Sequence, residues 1–167
     1  MTTPDVPVFT ISRRFEAPIE RVYEAWADPA QMVKWSGPKG ATVEILEGEV
    51  AEGQATIACT SSPQGGDMYT LSLWRELRKP SRVAWEQSFC TREGTKCAPP
   101  FFDDWPLTLL TEVDFAERDG GTEITLRWTP IEYTEAALAM FVKQMASMSG
   151  GWGGSFDKLD AFLAAQS

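Results

Sequence analysis

The sequence contains no histidine. That absence excludes serine and cysteine nucleophiles activated by an imidazole. It also removes the commonest ligand of catalytic zinc and the commonest general base near neutral pH. Any catalysis would fall to carboxylates, tyrosine, lysine or cysteine. Cysteine is scarce as well, with only Cys59, Cys90 and Cys97. Their odd number and the lack of a CxxC pair argue against a disulfide framework or a zinc site. Cys90 and Cys97 flank one loop and could pair under oxidation; free thiols in a reducing compartment are the plainer reading. No apolar run is long enough to span a bilayer. The opening residues, Met1-Thr2-Thr3-Pro4-Asp5, lack the basic and apolar regions of a secretory signal, so a cytoplasmic location is expected. Cations are in deficit: 15 lysines and arginines against 24 aspartates and glutamates give a net charge of −9. A chain so acidic is a poor partner for nucleic acid or for anionic membrane surfaces.

What is present fits one globular domain, residues 1–167, with 43% hydrophobic and 23% charged residues. Its organising stretch is residues 134–166. Leu138, Phe141, Val142, Met145, Met148, Trp152, Phe156, Leu159 and Leu163 recur there at steps of three or four. That is the apolar stripe of an amphipathic helix, with Thr134 as its N-cap and Glu135 in its first turn. Gly150, Gly151, Gly153 and Gly154 interrupt the stripe around Trp152. Such glycines cost about 1 kcal/mol each relative to alanine in a helix. Close approach to neighbouring elements, with Trp152 as the wedge, is the expected reason; a kink that admits ligand is the alternative.

Before this helix the pattern is mostly that of strands. Phe9, Ile11 and Phe15 mark a first strand, and Ala17-Pro18 opens a helix carrying Ile19, Val22, Tyr23 and Trp26. Asp28-Pro29 breaks it, and a second short helix ends at Ser36-Gly37-Pro38. Period-two alternation then gives Val43 and Ile45, and Ile57 and Cys59 after Ala55. Ser61 to Asp67, with Gln64, Gly65 and Gly66, reads as a hairpin loop. One face of the next strand reads Tyr69, Leu71, Leu73, Arg75 and Leu77, and one face of its successor reads Val83, Trp85, Gln87 and Phe89. Residues 91–104 are irregular, and Phe101 and Phe102 make them apolar for a loop. They either cover something or pack on the side of the domain. Leu107, Leu109, Thr111, Val113 and Phe115 form the cleanest alternating face, and Asp119-Gly120-Gly121 is a tight hairpin signal. The fold class this order predicts is α+β: a curved antiparallel sheet gripping one long C-terminal helix, with two short helices after the first strand.

Five stretches, in order, carry a resemblance to a known family. They are residues 11–26, Asp28-Pro29 with Lys34-Trp35-Ser36-Gly37-Pro38, residues 77–85, Thr122-Glu123-Ile124-Thr125-Leu126, and Gly151-Trp152 with Phe156, Leu159 and Phe162. Together they resemble the START-like, or birch-pollen-allergen-like, helix-grip proteins (the SRPBCC superfamily). Within it the chain is similar to the AHSA1-like branch, related to the C-terminal domain of the heat-shock-protein ATPase activator. The family's Pro-Gly-Gly turn with a following aromatic is replaced here by residues 47–55. The resemblance implies a cavity between sheet and helix that takes hydrophobic ligands. Fold alone does not name an activity.

Placed on that fold, the candidate ligand-binding residues are Ile57, Cys59, Tyr69, Leu71, Arg75, Trp85, Gln87, Phe89, Leu109, Thr111 and Val113 from strands. Met145, Met148 and Trp152 would face them from the long helix, and Trp35 from the helical pair. No catalytic residue and no metal ligand is singled out. Asp103-Asp104 point different ways in extended chain and make no acid/base pair. The segment Gly151-Trp152-Gly153-Gly154 follows no strand and lacks the lysine of a phosphate-binding loop, and no cofactor is expected. The leading expectation is a binding protein whose partner is a hydrophobic small molecule. The first alternative is a cyclase-, aromatase- or hydrolase-like enzyme, with Tyr69, Arg75 or Gln87 assisting proton transfer. The second is a chaperone-ATPase regulator linked to stress response, or another interaction module. A homodimer is compatible with the apolar loops.

Overall fold

The computed structural model describes residues 6–37, 40–63, 66–99 and 102–165. Pro38, Gln64, Gly65, Phe101 and Gln166, which figure in the turn, loop and helix assignments above, lie outside them. The elements run β1 (Phe9–Phe15), α1 (Ile19–Ala27), α2 (Pro29–Trp35), β2 (Thr42–Gly48), β3 (Ala55–Ser62), β4 (Gly66–Arg78), β5 (Arg82–Cys90), β6 (Thr108–Arg118), β7 (Gly121–Glu132) and α3 (Glu135–Ala165). All seven strands form one antiparallel sheet in the order β1-β7-β6-β5-β4-β3-β2. With α3 lying on the sheet and α1 and α2 following β1, this is the helix-grip arrangement that the order of elements predicts.

Local chemistry sets the boundaries. Asp28 ends α1 by donating its backbone N–H to the Glu24 carbonyl, and its carboxylate caps α2 by accepting from Ala30 N at 3.1 Å. Asp119 and Gly120 both adopt positive φ, 49° and 81°, the geometry of a two-residue hairpin between β6 and β7. Thr134 caps α3: its Oγ1 accepts from Ala137 N at 3.1 Å.

The C-terminal half of α3 is fastened to the rest of the molecule. Phe156, Leu159 and Leu163 are buried, and Phe156 meets Phe15 edge to face at 5.8 Å. Arg13 on β1 donates to Asp157 and Asp160, each at 2.8 Å. Arg21 on α1 donates to the Leu163 carbonyl. The N-terminal half buries less, chiefly Ala137, Phe141 and Met148. Phe141 packs on Trp105, which stacks on Phe102 at 5.0 Å. The described part of the irregular loop therefore packs against the helix.

The helix runs unbroken through its glycines. Close approach, the expected reason, does not account for Gly150, Gly151 and Gly153. A Cβ built on any of the three meets no described atom within 4 Å, so close approach does not demand glycine there. Nothing in the packing explains Gly150 and Gly153.

Both faces of the sheet are covered near its centre. A β-bridge pairs Cys90 with Lys96, and Cys97 donates its backbone N–H to the Phe89 carbonyl. In this ladder Cys90 and Cys97 alternate sides, which opposes their pairing. Burial pushes the Cys90 thiol above its ordinary pKa, with the nearby Cys97 adding to the effect.

Two predictions follow from these features. Gly150→Ala and Gly153→Ala should each stabilise the protein by up to about 1 kcal/mol in urea denaturation; destabilisation would show a steric demand that the structure lacks. In the folded protein, a thiol reagent should modify Cys97 first, with Cys59 and Cys90 reacting only on unfolding, because only Cys97 is more than marginally exposed. Two or more fast thiols would contradict the burial described here.

Candidate functional site

Because α3 is anchored over β1, α1 and α2, it does not close down on β3, β4 and β5. A partly open hollow of about 390 Å³ remains between them. Its wall is dominated by tryptophan: Trp26, Trp35, Trp74, Trp85, Trp128 and Trp152 all line it, six of the seven in the sequence. They pack on one another. Trp26 meets Trp35 at 4.7 Å and stacks with Trp152 at 6.3 Å. Trp74 meets Trp85 at 5.1 Å, and Trp128 meets Trp152 edge to face at 5.6 Å. Three indole N–H groups are spent inside the wall. Trp35 donates to the Ala25 carbonyl at 2.8 Å, Trp74 to Thr56 Oγ1 at 3.1 Å and Trp128 to Thr111 Oγ1 at 2.8 Å. The buried Trp26 N–H has no partner among the described residues.

On the sheet side, beside Trp74 and Trp85, runs a strip in which small polar side chains are interleaved with apolar ones. Thr56, Ala58 and Thr60 on β3 and Met68, Thr70 and Ser72 on β4 face the hollow, joined by Gln87 and Phe89 on β5. Register aligns Thr56, Ser72 and Gln87 in one row across three strands, and Ala58, Thr70 and Phe89 in the next. At the rim, Ser155 Oγ donates to the Gly37 carbonyl. Lys158 donates to the carbonyls of Ser36, Gly37 and Ala41, and burial pushes its ammonium below the ordinary lysine pKa. Among the described residues no charged side chain lines the hollow. Nor does any group of three or more Cys, Asp or Glu among them stand ready to hold a metal ion.

The structure brings six of the sequence-derived candidates to this hollow: Trp35, Trp85, Gln87, Phe89, Met148 and Trp152. Leu109, Thr111 and Val113 do face inward from β6, but they are packed solid and do not reach it. Met145 packs against the core beside it.

Ile57, Cys59, Tyr69, Leu71 and Arg75 are corrections. They lie on the other face of the sheet. The more apolar face predicts the opposite side, because hydrophobicity is inverted here. The outer face of β3 and β4 is apolar since the loop after β5 folds over it: a Cβ on Gly94 would lie 3.0 Å from Ile57 Cδ1. The inner face carries hydroxyls because it borders the hollow. A β-bulge between Trp74 and Glu76 then shifts the phase of β4. Leu77 faces in opposite Val83, while Leu73 faces out on the same strand. Arg75, at the bulge, pairs with Glu86 at 2.7 Å. Tyr69 and Arg75 are therefore remote from any proton transfer in the hollow.

Sequence reasoning missed Trp26, Met32, Val43, Trp74, Trp128 and the hydroxyl strip. One signal was present: Trp74 is the bulkiest residue of β4 and falls on the face read as wet. The outer face of β4–β7 also holds an ion-pair network, in which Arg82 pairs with Glu76, Glu112 and Asp114, and Arg127 with Asp114. Its carboxylates hold the Arg82 guanidinium well above its ordinary pKa against the opposing cost of burial.

The profile of the family described as Activator of Hsp90 ATPase homolog 1-like protein matches residues 16–164. The chain belongs to that family. No curated protein matches this AHSA1-like sequence. Many solved structures share its fold. Protein Ms6760 from Mycobacterium smegmatis is 23% identical, with a TM-score of 0.76 and 95% of each chain covered. A solution structure from Staphylococcus epidermidis is 20% identical, with a TM-score of 0.77, covering 99% of this chain and 94% of that one. The AHSA1 protein from Silicibacter pomeroyi is 18% identical, with a TM-score of 0.68, covering 96% of this chain and 100% of that one. At these identities the likeness concerns the fold. No helix among the described residues of the AHSA1-like chain is long and apolar enough to cross a membrane.

The assignment of faces is testable with neighbouring residues on β4. Thr70→Phe should fill the hollow and abolish binding of a neutral fluorophore such as N-phenylnaphthylamine. Leu71→Ala, one residue along, should leave that binding unchanged. The reverse pattern would put the faces the other way round.

Proposed function

We propose that this chain is a binding protein for a hydrophobic small molecule held between β3–β5 and α3. The observation that carries this reading is the tryptophan-lined hollow itself. Its volume of about 390 Å³ is that of a small-molecule site rather than a packing defect. Most of its lining surface is apolar, with tryptophan, methionine and phenylalanine contributing, so burial of apolar ligand surface supplies the driving force. Met32, Met68 and Met148 add side chains that repack at little cost.

Binding is favoured over catalysis by the same wall. General acid–base chemistry needs a titratable group within hydrogen-bond reach of the reacting atom. Among the described lining residues none titrates near neutral pH, and the tyrosine and arginine considered for that task face the other side of the sheet.

Adding N-phenylnaphthylamine to the protein should change tryptophan emission and raise the melting temperature. At a ligand concentration a hundredfold above Kd the gain is about 2.7 kcal/mol. Trp152→Ala, which removes ring contacts to Trp26, Trp128 and Phe156, should weaken the effect. Unchanged emission and melting across a panel of lipophilic probes, with a filled interior in a crystal structure, would sink the proposal.

A further inference from the structure

We infer that the hollow selects uncharged, flat aromatic ligands carrying hydroxyl or carbonyl groups along one edge, and rejects carboxylates. This rests on the ligand-binding reading above and narrows it to a chemical class.

The first argument is the tryptophan wall. With the N–H groups of Trp35, Trp74 and Trp128 committed to Ala25, Thr56 and Thr111, these rings offer a ligand carbon and π surface only. Such surface gains more from a flat π system, through offset stacking and edge-to-face contact, than from a flexible chain of equal area. A rigid ligand also loses less conformational freedom on entry.

The second argument is the polar strip on the sheet side of the hollow. Thr60, Thr70, Ser72 and Gln87 line the hollow, and their side chains have no hydrogen-bond partner among the described residues. Ser72 and Gln87 are direct cross-strand neighbours, and Thr70 is the next inward residue along β4. The hydroxyls and the carboxamide together offer both donors and acceptors. A ligand that reaches this strip without polar atoms strips them of water and returns nothing. A ligand with hydroxyl or carbonyl groups on the facing edge replaces that water.

The third argument is charge. No charged side chain among the described residues lines the hollow. The nearby ammonium of Lys158 is directed to the carbonyls of Ser36, Gly37 and Ala41. A carboxylate entering here would lose its hydration and find no counter-charge. Anionic amphiphiles such as fatty acids are therefore disfavoured despite their apolar bulk.

The test uses three probes of nearly the same shape: anthracene, anthracenemethanol and anthracenecarboxylate. Binding to the intact protein is read by energy transfer from tryptophan. The alcohol should bind at least about tenfold tighter than the carboxylate. It should also bind more tightly than the hydrocarbon. Gln87→Leu and Ser72→Ala should bring the alcohol-to-hydrocarbon ratio toward one. Dodecanol should compete poorly. Equal binding of alcohol and carboxylate, a ratio unmoved by the two substitutions, or effective competition by dodecanol would overturn this inference. Each of those results leaves ligand binding intact, whereas energy transfer to none of the three probes would overturn the binding reading together with this one.

Discussion

The packing of Phe156 and Leu159 against the β1 side of the sheet is the contact on which the rest depends. It fixes the C-terminal half of α3 to Phe15 and, through Arg13, to β1. A helix pinned at one end need not follow the sheet everywhere. Over β1, α1 and α2 it makes core. Over β3, β4 and β5 it stands away, and the space left is the hollow. The fit is enforced from several directions, since Trp26 touches Trp35, Trp85, Phe115, Trp152 and Phe156 at once. Aromatic side chains suit this task because each buries a large area with few rotatable bonds.

The sheet answers that geometry with an unusual distribution of polarity. At β6 the inward face is apolar and packed, as a sheet against core should be. At β3 and β4 the inward face carries Thr56, Thr60, Thr70 and Ser72, and the outward face carries Ile57, Leu71 and Leu73. The loop after β5 makes this tolerable, because it covers the outward apolar row. Ser88, Lys96, Thr108 and Glu132 tie that loop to the strand ends, with Lys96 Nζ 2.8 Å from both Thr108 Oγ1 and Glu132 Oε1. Much of that link is exposed to water, so it orders the loop more than it stabilises the fold. Loop, bulge and hollow are thus parts of one arrangement. Covering the outer face frees the inner one to be polar, and a polar inner strip bordered by indole gives the hollow its mixed chemistry.

That chemistry connects the fold to the proposed role. The family supplies the architecture, and its description concerns chaperone activation. The wall of this particular chain is set by its own tryptophans and hydroxyls. Fold and function stand on separate evidence here, as they must on a fold that hosts many activities.

The sequence by itself determined the elements, their order and the family. Helical and alternating periodicity, the Asp28 and Thr134 caps and the Asp119-Gly120 hairpin are local properties, fixed by residues close together in the chain. It also determined what the protein lacks, beginning with histidine. Part of the site was legible for the same reason: the alternation of β5 is regular, so Trp85, Gln87 and Phe89 were placed on the inner face. Only the tertiary structure decided which side of β3 and β4 faces the hollow. Period two says that faces alternate but not which one is inside. The usual clue, the more apolar face, fails where a loop more than thirty residues away from Ile57 in sequence covers the outside. A bulge at Arg75 then hides the change of phase within what reads as one continuous strand. The glycines of α3 show the same limit. Sequence marks them as costly in a helix, but only the packing reveals that nothing crowds Gly150, Gly151 or Gly153, and that Gly151 borders the hollow.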